Sequence, residues 1–182
     1  SMLQSAKLKY LFPIILFGTF FLDGALNQIF SAVLFQYPYS MICNLTLMWF
    51  VMGIFFEGES QINFTLWAFV IGIVFDWYYT GVFGVNTFII PLVVMFVREV
   101  RLYVNTSFLI VMVLDTLAMA LYNVLFYAVF QAIHLANVSA SFFIGYSFFP
   151  TIILNLALFV VLYYPIKTFF RRTRGTNYRS FG

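Results

Sequence analysis

Charge is what this sequence has least of. Only 8% of its 182 residues are Asp, Glu, Lys or Arg, where a soluble globular domain carries about a quarter, and a water-soluble globule is thereby excluded. Cysteine occurs once, at Cys43 in an apolar run, so neither a disulfide framework nor a cysteine metal cluster is open to the chain. That residue reads as part of the core. Histidine also occurs once, at His134, where it falls at the outer end of an apolar segment and is expected to meet water or lipid headgroups. HExxH, GxxxxGK and a nucleophile with a base nearby in sequence are all missing. The chain therefore reads as a non-enzyme with no cofactor and no metal, and nothing in it suggests a nucleic-acid partner. Linkers and low-complexity tracts are absent too, which leaves no separate soluble domain.

Apolar residues make up the balance: 64% of the chain is hydrophobic and the mean hydropathy is +1.00. Apolar runs of about twenty residues recur, the length an α-helix needs to cross a bilayer. The short alternating segments of a membrane β-barrel are not seen. Backbone groups in lipid must then be satisfied within helices. Six spans are predicted, at about 9–33, 38–56, 62–80, 84–103, 107–132 and 141–166, with a basic tail over 167–182. The expected fold is an all-α, six-helix transmembrane bundle forming one domain. Ser1 reads as an addition ahead of a native Met2, and the first run is too long for the apolar stretch of a cleavable signal.

Basic residues stay on the cytoplasmic side of a membrane. Lys7 and Lys9 precede the first span, Arg98 and Arg101 separate the fourth from the fifth, and Lys167, Arg171, Arg172, Arg174 and Arg179 follow the sixth. Six spans put all nine on one side, and the opposite connections near 34–37, 80–84 and 133–140 hold no Lys or Arg. Both termini are expected in the cytoplasm. Positive-inside anchoring explains the tail, while Arg171, Arg172 and Arg174 also suit contact with anionic lipid or a cytoplasmic partner.

Polar residues inside the spans form stripes. Thr19, Asp23, Asn27 and Ser31 recur every fourth residue, and Asp115, Asn123, Tyr127 and Gln131 lie at multiples of four from Asp115; each set falls on one helix face. Asp76 sits in a third span. Three intramembrane carboxylates without a basic partner can act as hydrogen-bonding glue between helices, or belong to a transport or proton-relay site, the glue being the simpler reading. Pro91 is expected to kink its span. Trp49, Trp67 and Trp77 lie towards span ends, where an interfacial belt accounts for them.

The most pointed stretch is Gly72-Ile-Val-Phe-Asp76-Trp-Tyr-Tyr-Thr80-Gly81-Val-Phe-Gly84-Val-Asn86-Thr87-Phe88. An ionised Asp costs roughly 2.5–3.5 kcal/mol inside a membrane and needs a partner or a task. Gly81 and Gly84 permit the positive φ and close approach of a tight helical hairpin. In Gly72, Asp76, Gly81 and Gly84 the chain resembles the rod shape-determining protein MreD family, and the likeness extends to length, span number and the basic tail. It departs from the family's pattern at Phe83 and at Asn86-Thr87. The resemblance implies a non-catalytic scaffold of the cell-wall elongation machinery in the bacterial cytoplasmic membrane. The partners it implies are membrane lipids, a bitopic MreC-type protein and the glycosyltransferase and transpeptidase that build peptidoglycan, with a second copy of the chain as a further candidate. The family also looks like the substrate-binding components of energy-coupling-factor vitamin transporters, which keeps a transporter component as the alternative. Against it, the first span lacks the Ala-x-x-x-Ala motif usual in those components, and the outer connections are short and aromatic.

Overall fold

A computed structural model describes residues 2–29, 44–56, 62–80, 84–132, 145 and 148–174, with only the backbone described for 2–8, 79–80, 130 and 171–174. The described residues form helices and no strand. In chain order these are α1 (Met2–Ile29), α2 (Leu45–Phe56), α3 (Phe64–Phe75), a π-helical turn (Asp76–Thr80), α4 (Val85–Arg101), α5 (Phe108–Ala132) and α6 (Phe149–Arg174). Stretches of α1, α5 and α6 are long and apolar enough to cross a membrane. Helices α1 and α6 run past the spans expected from hydropathy, from Met2 and on to Arg174, so Lys167 and the arginines up to Arg174 ride on a helix. Helix α4 runs through Pro91 without interruption, as α1 and α6 run through Pro13 and Pro165.

Helix α2 is the hub. Its twelve residues, Leu-Thr-Leu-Met-Trp-Phe-Val-Met-Gly-Ile-Phe-Phe, are apolar all round apart from Thr46, and every one of them is buried; a helix with no polar face belongs inside a bundle. At 1.5 Å per residue it is about 18 Å long, short of the roughly 30 Å of a bilayer's hydrocarbon core. The other helices close a ring around it, with α1 against α3, α3 against α4, α4 against α5, α5 against α6 and α6 against α1. The α1–α3 seam is aromatic: Phe12 meets Phe64 edge-on at 5.1 Å, and Phe20 meets Phe75 at 4.8 Å and Tyr78 at 5.9 Å. Gly53 lets the hub seat against this seam, since a Cβ there would lie 2.8 Å from the Phe12 ring and 3.0 Å from Phe64.

Trp49 corrects an expectation. It is buried in the hub, stacked between Phe12 at 5.6 Å and Phe170 at 4.8 Å, and its indole N–H donates to the Phe12 carbonyl at 3.2 Å. It is the fifth of the twelve residues of α2 and lies inside the bundle because that helix is surrounded by others. Trp77, 79% exposed, stays on the surface.

Successive helices run antiparallel, so the molecule has two ends. One holds Asp23, Asp76 and the starts of α2 and α4. The other holds Arg98, Arg101 and Lys167.

Candidate functional site

Helix α2 begins inside the bundle, and its first N–H groups have no partner within the helix. Asn44 supplies a local cap by accepting from the Leu47 N–H at 3.1 Å. The rest comes from another helix. Asp23 of α1 accepts from the backbone N–H of Leu45 at 2.6 Å, from that of Thr46 at 3.0 Å, and from the Thr46 hydroxyl at 2.8 Å. Asn155 of α6 adds its Oδ1, which accepts from the Asn44 N–H at 2.9 Å, while its amide donates to the Thr151 carbonyl at 2.8 Å.

The α3–α4 hairpin repeats the device. Asp76, fully buried, accepts from the N–H groups of Gly84 at 3.0 Å, Asn86 at 2.7 Å and Thr87 at 2.9 Å, and from the Thr87 hydroxyl at 2.7 Å. A carboxylate has acceptor sites for all four donors, and the positive end of a helix favours negative charge. The flanking glycines serve the same clasp. A Cβ on Gly72, one turn before Asp76, would lie 2.5 Å from the Asn86 carbonyl oxygen and 2.9 Å from the Thr87 Cα, so only Gly allows α4 to start this close to α3. Gly84, at the N-cap of α4, has φ of +101°, which an L side chain rarely adopts.

Asn86 and Thr87 are thus part of the clasp. Thr87 bonds Asp76 through its hydroxyl. Asn86 carries the network onward, its Oδ1 accepting from the Tyr122 hydroxyl of α5 at 2.6 Å. Sequence reasoning missed Thr46, Thr87, Tyr122 and Asn155. The legible signal was a Thr inside the first turn after Asn44 and after Gly84, each following a span that holds an Asp.

The other polar positions behave differently. Thr19, Thr116 and Asn123 bond carbonyls of their own helix, at Leu16, Met112 and Met119. Asn27 is half-buried and bonded. Asp115 is buried on α5 with its Oδ1 lacking any hydrogen-bond partner. Gly81, Ser31, Cys43 and His134 lie outside the described residues, as do the side chains of Arg171, Arg172 and Arg174. Among the described residues no group of His, Cys, Asp and Glu could hold a metal ion.

A bundle of apolar helices around a buried hub, pinned by intramembrane aspartates, is that of a polytopic helical membrane protein. A scan against family models matches the rod shape-determining protein MreD over residues 5–173 of the 182. The chain belongs to the MreD family, and its role lies in determining rod shape. Searches of curated proteins and of solved structures returned no match.

Proposed function

We propose that this chain is a non-catalytic scaffold of the bacterial cell-wall elongation machinery, sited in the cytoplasmic membrane with both termini and the basic end in the cytoplasm. It holds a bitopic MreC-type protein and, with it, the peptidoglycan glycosyltransferase and transpeptidase. The observation that carries this reading beyond the family is how the polar groups of the aspartate end are used. Asp23, Asp76, Asn86, Tyr122 and Asn155 bond one another or helix starts, where a ligand-binding component would turn convergent polar groups towards a ligand. Their work is to hold helices in place.

A scaffold in lipid needs a face where another helix can approach, and packing rather than hydrophobicity sets the strength of that contact. Helix α1 offers one. Tyr10, Ile14, Gly18 and Phe21 are exposed along one side, and a Cβ on Gly18 would meet nothing within 4 Å. A partner helix crossing at Gly18 could come close there. The test is co-purification of the MreC-type protein with Gly18→Leu. The expected result is loss of most of the partner with the bundle's thermal midpoint unchanged. Partner recovery at wild-type level, together with stabilisation of the isolated protein by a vitamin, would replace this reading with the transporter component.

A further inference from the structure

At the basic end, the C-terminal turns of α4 meet the end of α2 and the start of α3 around a cavity of about 340 Å³. Its wall combines Arg98 and Arg101 with Thr65 and with the apolar side chains of Ile54, Met95 and Leu102; Glu99 stands at the rim. The volume falls at the lower end of ligand pockets, roughly 300–1,000 Å³. Exposed Arg98, Glu99 and Leu102 show that it opens to the surface.

Arginines at the cytoplasmic end of a membrane helix need no explanation beyond orientation and the helix dipole. What that account leaves over is their hydrogen bonding. Each guanidinium has five N–H donors in a planar fork. Arg98 gives one Nη1 bond to the Thr65 hydroxyl at 3.0 Å, and Arg101 one Nη1 bond to the Val104 carbonyl at 3.3 Å. The Arg101 Nε is buried and has no partner. Aromatic rings hold the two groups in place: the Arg101 guanidinium carbon is 5.3 Å from the centre of the Phe55 ring, and that of Arg98 is 6.0 Å from Phe64. Two restrained forks with spare donors therefore share one cavity. The start of α3, at Thr65, adds the positive end of a helix.

We propose that this cavity binds the phosphate of an anionic phospholipid headgroup. Arginine forks match phosphate oxygens in pairs, and basic pockets between membrane helices on the cytoplasmic side suit such headgroups. The apolar surroundings select the lipid over free phosphate. From the pocket, Met95, Leu92 and Phe88 continue along the exposed side of α4, giving an acyl chain a surface to follow into the bilayer.

The test uses the full chain purified in detergent, with phosphatidylglycerol and phosphatidylcholine compared by native mass spectrometry and by thermal midpoint. Wild type is expected to retain phosphatidylglycerol and gain several degrees from it; phosphatidylcholine is expected to do neither. Arg98→Gln with Arg101→Gln should weaken phosphatidylglycerol binding roughly tenfold to thirtyfold, on about 1 kcal/mol per basic residue at an anionic surface. Replacing Arg171, Arg172 and Arg174 by Gln should leave the retained lipid in place. Should the double variant fail to fold, Glu99→Gln gives the converse readout, because removing the rim's negative charge should tighten retention. Undiminished binding in a folded double variant, no gain from Glu99→Gln, or loss only in the tail variant would each overturn the proposal. So would inorganic phosphate that stabilises the protein as well as the lipid does, which would assign the cavity to the free anion.

Discussion

Three aspartates lie buried in this bundle, and two of them do what the third does not. Asp23 and Asp76 face the first turn of another helix and take three and four hydrogen bonds. Asp115 sits in the middle of α5, where its neighbours one turn away are Val111, Ala118 and Met119 and its Oδ1 finds no donor. The same residue type, equally hidden from water, is an anchor at a helix start and a liability in a helix interior. The reason is supply: a helix start presents three or four unpaired N–H groups, and a helix interior presents none.

That contrast breaks most visibly at Asp76. Asp76→Leu removes the acceptor from three N–H groups and one hydroxyl, of which the Asn86 N–H is buried and those of Gly84 and Thr87 half-buried, and each buried donor left unpaired costs about 1–3 kcal/mol. These costs do not add in full, so a loss on the order of 3 kcal/mol is expected, or roughly 6–12 °C in thermal midpoint for a chain of this length. Asp76→Asn, which keeps one oxygen, should recover part of it. Thermal unfolding in detergent, followed by circular dichroism, measures both.

Asp23→Ala should come next. It strips the same kind of cap from the hub, but Asn44 and Asn155 still serve neighbouring N–H groups. A loss of about 2 kcal/mol is expected. Because α2 packs against α1, α4, α5 and α6, the damage should spread. Hydrogen exchange of α2 amides should speed up throughout the helix, and a change confined to its first turn would show that the hub is held by packing alone.

How much of this was legible beforehand divides along the same line. That the chain folds as a bundle of apolar helices could be read from the sequence, because hydropathy acts locally, and Gly72, Asp76 and Gly84 stood out there by residue type alone. That Asp23 would cap α2 could not, since residues 23 and 45 meet only once the helices pack. Trp49 misled for a related reason. Proximity to a helix end implies the membrane interface only when the helix is as long as the bilayer is thick, and the hub is shorter. The roles of Asn86 and Thr87 emerge only when Asp76 and Tyr122 are placed beside them.

Gly84→Ala probes the backbone part of the clasp with Asp76 intact. The nearest atoms to an added Cβ are those of the Phe88 ring at 3.7 Å, so space is available and only φ of +101° is at issue. An L residue held at positive φ costs about 1–2 kcal/mol. The expected drop is therefore a few degrees, smaller than for either aspartate, and Gly84→Asn should fall less, because Asn tolerates left-handed backbone better. A drop as large as that of Asp76→Leu would mean that the loop, rather than the carboxylate, holds α3 and α4 together.

The smallest effect on stability belongs to Asp115. Leucine has the same branched connectivity and number of side-chain heavy atoms as aspartate, and replacing a buried polar group that has an unpartnered atom by an apolar group of similar form is often neutral or stabilising. Asp115→Leu should leave the thermal midpoint within about a degree of wild type or raise it, whereas the identical substitution at Asp76 lowers it steeply. Asp115→Asn should lie close to wild type or slightly above it, since a side-chain amide inside these helices can donate to the carbonyl four residues back, as Asn123 and Asn155 do. The pair of leucine variants, measured side by side, tests whether placement at a helix start is what makes an intramembrane aspartate stabilising. A steep fall for Asp115→Leu would show that Oδ1 is bonded in the working protein. An unchanged midpoint with loss of rod shape in a complementation assay would assign Asp115 to function, as a group kept unpaired in the bundle at a cost to stability.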